Sequence, residues 1–485
     1  MRIIIVGAGR TGTQLARYLI QEKHDISIIE SNEETARHAS NRLDCLVLHD
    51  EGNNLAALEE AGIAKAEALV CLTDSDEVNM IICGLAASRN SGLLKIARAR
   101  NEDYVRMNQD APKDKKILGI DYFVHPDVEA ARAVLRALSH GAMGNILDLE
   151  GTSWELGSVN VTEGSAFDGL HIKDYHSLVK ESSLVALVER DSGNSNGGAD
   201  SKGRECILPG GATVLQKGDW IHILAQEDKI EEIFLLAGHN EKPLKHIGIV
   251  GGGRIGSLIA EGILEESQEE KKKHGIFSLF RSFMPKSNRR VVMVEQNYNV
   301  CKDLAARFPD ALILNEDISD ESFVAEERLG DLDLIITATA NQELNMITAI
   351  YLKSRGVRRA IAMVSGSGYE TIARQLGVDV VIPMQSVVVD SILSNLTGSG
   401  IRGVHRLGDG TLQILETEIR DDSPAVKKAI TEFRLSEGGL IILVSRGGSS
   451  FIPHGDYIFE AGDKVIMMTK NGSEAELEKF FGKAK

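Results

Sequence analysis

The chain has 485 residues, a formal charge of −17 and 43% hydrophobic residues, enough for roughly three to four domains of about 100–200 residues each. The acidic balance excludes a broad nucleic-acid footprint and a large face for anionic lipid. Cys45, Cys71, Cys83, Cys206 and Cys301 are odd in number, scattered and without a C-x-x-C, so they form neither a disulfide framework nor a zinc site, and no metal ligands are assigned; a reducing cytoplasm suits them.

Met1–Gly12 reads MRIIIVGAGRTG. Ile3–Val6 suits a strand covered on both faces, and the glycines at Gly7, Gly9 and Gly12 let the backbone approach a pyrophosphate facing the next helix's N-terminus. Gln14–Leu19 predicts a short amphipathic helix and Ile26–Ile29 a second strand, with Glu30 placed 18 residues past Gly12. A carboxylate there accepts hydrogen bonds from ribose hydroxyls and repels a 2′-phosphate. The first residues read as a strand rather than a signal peptide.

Asn32–Leu43 predicts a helix and Cys45–Leu48 a third strand ending in the polar run His49-Asp50-Glu51-Gly52. Leu55–Ala61, Ala68–Leu72 and Glu77–Ala87 continue as helix, strand and helix. Thr73, Asp74 and Ser75 lie at the fourth strand's end beside the glycine loop; Asp74 or Ser75 equally serves as an N-cap. Lys95–Arg100 predicts a fifth strand with Arg98 and Arg100 on one face, where an arginine either forks onto a phosphate or is solvated surface. Tyr122–Val124 and Asp127–Leu138 close a nucleotide-binding module. Residues 147–236 then alternate short strands and turns around a Ser/Gly/Asn-rich gap at 191–203, a small α+β module. Asp219, after Gly218, reads as a turn residue.

Ile247–Gly256, IGIVGGGRIG, repeats the opening at an offset of 244 residues, with Gly251, Gly253 and Gly256. A second, unlike motif recurs at the same offset, around Pro209–Asp219 and Pro453–Asp463, and two unlike motifs at one spacing indicate duplication. The counterpart of Glu30 is Glu295, 265 residues on, so 21 residues are inserted within Glu265–Arg290. That stretch is basic, with Phe277, Phe280, Phe283 and Met284 at helical spacing, and suits either a membrane surface or acidic partner, or packing on its own domain. Asn79 and Met80 recur as Asn345 and Met346, while Met363 lies where Arg98 does. A last helix is predicted at Glu474–Phe481. The expected domains are 1–140 and 245–397, Rossmann-like doubly wound parallel sheets of the α/β class, the second carrying the insertion at 265–290, and 145–237 and 404–485, small α+β modules.

The duplicated V-G-x-G-x-x-G, T-D-S-D-E-V-N-M, K-I-A-R-A-R-N-E-D-Y and A-G-D-K-V-I-M-M resemble the TrkA family, the regulatory proteins of Trk potassium-uptake systems, over nearly the whole chain. The resemblance implies two regulator-of-potassium-conductance (RCK) units and a cytosolic peripheral subunit. It further implies assembly as a ring, a tetramer or dimer, beneath a membrane potassium-translocating subunit, and a response to NAD(H) and to ATP or ADP. Carried over by position, it places nucleotide contacts at Gly7, Ala8, Gly9, Arg10, Thr11, Glu30, Thr73, Asp74 and Arg98, and at Gly251, Gly252, Gly253, Arg254, Ile255 and Glu295. Met363 departs from the pattern, so the second site is expected to hold phosphates less firmly or to hold a different nucleotide.

No catalytic residue is assigned. An NAD-dependent oxidoreductase needs an acid or base beside the nicotinamide, and the first-half candidates, His125 and His171, have no evident carboxylate partner in sequence. A regulatory module of another cation channel or exchanger is the remaining alternative. The expected mechanism is a population shift, in which nucleotides bind two conformations unequally.

Overall fold

The computed structural model describes residues 1–112, 116–139, 142, 146–149, 152–179, 183–191, 204–238, 244–264, 289–396, 401–407, 412–432 and 439–470. The inserted stretch through residue 288, the gap at 192–203 and the helix expected at 474–481 lie outside them. The chain divides into two compact units, Met1–Ser139 with Leu244–Leu396, and His140–Pro243 with Thr397–Lys485. Like therefore pairs with like, each unit joining one module from each half.

In the first unit, the first module runs β1 (Arg2–Val6), α1 (Arg10–Gln21), β2 (Asp25–Glu30), α2 (Glu33–Ser40), β3 (Leu46–His49), α3 (Leu55–Glu60), β4 (Ala68–Cys71), α4 (Asp76–Arg89), β5 (Leu94–Arg98), α5 (Glu102–Asp110), β6 (Tyr122–Val124) and α6 (Pro126–Ser139). The strands form one parallel sheet in the order β3-β2-β1-β4-β5-β6. Helices cover both faces, so the central strand is apolar throughout: Ile3, Ile4 and Ile5 are wholly buried, each stabilising the fold by about 1.5–3 kcal/mol. β5 stops at Arg98 rather than running to Arg100, because the Asp76 carboxylate takes the Arg100 and Asn101 amides and turns the chain into α5. Arg98 and Arg100 therefore do not share a strand face. α5, which periodicity did not reveal, is announced by its cap Asn101 and the acidic pair Glu102-Asp103 in its first turn.

The small module of the first half follows in the second unit: β7 (Ile146–Asp148), β8 (Trp154–Asn160), α7 (Tyr175–Leu178), β9 (Ser183–Asp191), β10 (Arg204–Ile207), β11 (Trp220–Gln226) and α8 (Ile230–Leu236). The second nucleotide-type module is β12 (His246–Val250), α9 (Arg254–Leu264), β13 (Arg290–Glu295), α10 (Tyr298–Arg307), β14 (Leu312–Asn315), α11 (Glu321–Glu326), β15 (Leu334–Thr337), α12 (Gln342–Ser354), β16 (Arg359–Val364), α13 (Ser367–Gln375), β17 (Val380–Pro383) and α14 (Met384–Leu396). Its parallel sheet has the equivalent order β14-β13-β12-β15-β16-β17. β18 (Ile401–Leu407), β19 (Leu412–Glu418), β20 (Leu440–Arg446), β21 (Ser449–Phe451) and β22 (Lys464–Lys470) build the last sheet.

Both small modules are antiparallel sheets, β10-β9-β11-β8-β7 and β18-β19-β22-β20-β21, and they share a core in which Trp154, Leu156, Leu187 and Leu224 pack with Ile414, Ile442, Ile466 and Met468. Asp219 is more than a turn residue: it is 1% exposed and receives a two-pronged bond from Arg190 at 2.7 and 2.6 Å. Asp463 and Arg446 repeat that pair at 2.7 and 2.8 Å. A buried carboxylate persists only with such a partner.

In the first unit the two parallel-sheet modules join through α6, which packs on α9 and α14, and through α14, which also packs on α1.

Candidate functional site: two glycine loops and the cleft between modules

Each loop is built alike. Gly7 and Gly251 sit at φ +102° and +101° with Leu72 and Ala338 against them, a conformation that favours glycine. A Cβ at Gly12 or Gly256 would lie 2.0 Å from the Gly7 or Gly251 carbonyl oxygen, so the helix start fits tightly beneath its loop. Gly9 and Gly253 are the reverse: a Cβ there meets nothing within 4 Å. That open face leaves room for a phosphate beside the loop amides. α2, α3, α4 and α5 are capped by Asn32, Asn54, Ser75 and Asn101, whereas α1 begins after Gly9 with no side-chain cap. Its first-turn amides are left for an anion, so the donor set and the space fit a nucleotide pyrophosphate.

Glu30 stands at the end of β2 with Oε2 accepting the Ala8 amide at 2.6 Å and Oε1 the Asn32 amide at 2.9 Å. Glu295 does the same for Gly252 and Asn297, both at 2.8 Å. The predicted ribose carboxylates thus also clamp the loops, and each oxygen keeps a lone pair for a hydroxyl. Thr73 donates its hydroxyl to Asn79 Oδ1 at 2.7 Å, while Asn79 Nδ2 bonds the carbonyls of Thr73 and Arg98. Thr339, Asn345 and Met363 repeat the arrangement. A buried asparagine therefore ties the ends of β4 and β5 in each module, a role the recurrence of Asn79 and Asn345 signalled without explaining.

Of the two N-cap candidates at the β4 end, Ser75 caps α4 through the Val78 amide. Asp74, 92% exposed, pairs instead with Arg98 at 3.2 Å. Strand register puts Met363 at the Arg98 position, and Ala340 stands at that of Asp74, so the second module lacks both members of the pair. Arg10 and Thr11 stay at the mouth of the first loop, Arg10 exposed; Ile255 is half-buried beside the second.

Arg254 is placed differently from expectation. Leaving the second loop, it reaches the first module, donating to Glu102 Oε1 at 3.2 Å and His125 Nε2 at 3.0 Å, with Asp127 Oδ2 at 3.6 Å. His125 is thus a buried ring facing Arg254, with carboxylates that sequence reasoning did not connect to it. Burial, then the Arg254 charge, push its pKa below the ordinary histidine value, opposed by Asp127 and Glu102. Arg254 also lines an open cleft of about 490 Å³ with Asp76, Arg100, Asn101, Glu102 and Asp103. His171 lies apart in a small module and is exposed. Among the described residues there is no group of three His, Cys, Asp or Glu able to hold a metal, and no helix long and apolar enough to cross a membrane.

Two family models match the chain: the TrkA-N domain over residues 3–126 and 278–383, and the TrkA-C domain over 414–482. A Trk system potassium uptake protein TrkA from Azorhizobium caulinodans is 26% identical over 99% of this chain and 98% of its own. A TrkA homolog from Archaeoglobus fulgidus is 28% identical over 99% and 100%. Among solved structures, the GsuK RCK domain superposes with a TM-score of 0.55 at 17% identity, covering 99% of this chain and 94% of that one. The GsuK channel bound to NAD gives 0.56 at 16%, covering 99% and 78%.

Proposed function

The chain belongs to the TrkA family, and from that premise we propose that it is the nucleotide-sensing regulatory subunit of a Trk-type potassium-uptake system. Its relatives are named as potassium uptake proteins and not as enzymes. The observation that carries the sensing role is the open face at Gly9 and Gly253 above a tightly seated helix start. Gly7 to Thr11, Glu30, Thr73, Asp74 and Arg98 form the first site, and Gly251 to Ile255 with Glu295 the second. NAD(H) and ATP or ADP are the ligands, NAD having been seen on the GsuK channel of like fold. Arg98 favours a phosphate-rich ligand in the first module, and Met363 leaves the second site with less cationic character.

The protein acts from the cytoplasm on a membrane potassium-translocating subunit, and nucleotides that bind two conformations unequally shift the equilibrium between them. Self-association into a ring, a tetramer or dimer of chains, has a surface to use. Ile81 and Leu118 on the first module and their counterparts Ile347 and Leu376 on the second are all exposed, presenting the same apolar residues twice to a second copy.

Calorimetric titration of the purified chain with NADH, NAD, ADP and ATP tests the reading, followed by potassium flux through the reconstituted transporter with each ligand. Binding that alters flux is the expected result. No binding of any of the four, or binding without effect on flux, refutes it.

A further inference from the structure

The module junction in the first unit is built unequally on its two sides. Along α9 and α6, Arg254 meets Asp127, and eight residues on in each helix Gly262 meets Leu135, where a Cβ would fall 2.4 Å from a Leu135 methyl. Eight residues are about 12 Å of helix, so the two contacts hold α9 and α6 side by side in register. On the other side, α1 faces α14. Here the position of Gly262 is taken by Tyr18, which is buried, and the junction is marked by Gln14 bonding Ser386 at 3.3 Å. Sheet register aligns Val124 with Ile382 and Arg98 with Met363. The counterparts of His125, Asp127 and Glu102 are therefore Pro383, Gln385 and Ser367. Arg10, the counterpart of Arg254, is exposed and has no carboxylate at the matching positions to meet.

We propose that Arg254 is a one-sided latch that couples the two nucleotide sites negatively, seated on Glu102, Asp127 and His125 of the first module because Gly262 lets α9 lie against Leu135. The inference rests on nucleotide binding at both loops. One guanidinium serves two anion sites. While it sits on Glu102 and Asp127 it neutralises carboxylates at the mouth of the first module's strand ends, beside Asp76 and Arg100. A pyrophosphate on the second loop, whose amides begin at the residues flanking Arg254, draws the guanidinium back. The two carboxylates are then left unpaired, and an anionic ligand at the first site is disfavoured. Linkage makes the effect reciprocal.

The test is a cycle of ADP titrations on the full chain. The first site is identified as the step abolished by Gly9→Asp, and the second is blocked without added charge by Gly253→Leu. With Arg254 present, Gly253→Leu should tighten the first site by about fivefold or more. With Arg254→Gln, the first site should be weaker at the outset and unaffected by Gly253→Leu. Gly262→Ala, which touches neither loop, should behave like Arg254→Gln, and adding Leu135→Ala should restore the coupling. In the ligand-free chain, hydrogen exchange at the start of α6 and of α9 should rise in both Arg254→Gln and Gly262→Ala. A single site in the parent chain, or the same shift with and without Arg254, overturns the latch while leaving nucleotide sensing intact. Absence of ADP binding in every variant overturns the functional reading and the latch together.

Discussion

Replacing Gly9 by Asp separates the demands of the fold from those of the ligand. Gly9 has φ −60° and ψ −175°, a conformation any residue adopts, and a Cβ there meets nothing within 4 Å. The variant should therefore fold normally, within about 0.5 kcal/mol of the parent. The new carboxylate enters the space the loop amides offer to phosphate. At about 5 Å and an effective dielectric near 20, a pair of unit charges repels by about 3 kcal/mol, on the order of a hundredfold in Kd. Calorimetry with ADP and NADH should show the first site lost and the second retained, and Gly253→Asp should show the reverse loss. First-site binding within about threefold of the parent, in a variant with unchanged melting, would refute the placement of the pyrophosphate on this loop.

Gly12→Ala should fail in the opposite way. Its Cβ would sit 2.0 Å from the Gly7 carbonyl oxygen, a backbone atom with no rotamer to yield, so about 1–3 kcal/mol or more of stability should be lost, read by thermal unfolding. Arg446→Ala should destabilise the second unit. Burial pushes the Asp463 carboxyl up, but hydrogen bonds from Arg446, the Glu460 amide and the Tyr457 hydroxyl hold it below the usual range, and removing Arg446 leaves a buried carboxylate without its cation. The cost should be about 3 kcal/mol, the low end for such pairs because Arg446 is a third exposed; an unchanged melting temperature would contradict it. His125 gives a pH dependence. The folded ring, facing Arg254, Asp127, Glu102 and the Arg100 carbonyl, has its pKa lowered, whereas the unfolded chain takes up a proton near 6.5. Stability should thus fall as pH drops through the ordinary histidine range near 6.5, and His125 should contribute no pH dependence well above it. His125→Gln should lose that part of the dependence, and identical pH profiles would remove His125 as its source.

Much of the site was legible because its chemistry is local. A glycine at φ +102°, an uncapped helix start and a carboxylate at the next strand's end all lie within Met1–Glu30, and the same pattern 244 residues on marked the second copy. The end of β5 was misjudged because period-two alternation continues through Arg100, whereas the strand stops where Asp76, from another helix, takes the Arg100 and Asn101 amides. Asp219 read as a turn because nothing in its neighbours announces Arg190, 29 residues earlier in the chain and opposite it in the fold.

The sequence by itself determined the modules, their order, their duplication and the two glycine loops, since strand burial, helix capping and backbone approach depend on residues close together in the chain. Only the tertiary structure decided which modules pair and which way Arg254 points. Those outcomes depend on surfaces more than a hundred residues apart: a missing Cβ at Gly262 against Leu135, and two carboxylates and an imidazole on one side of the junction where the other side has none. Side-chain volume and charge act there through space, and no periodicity along the chain records them.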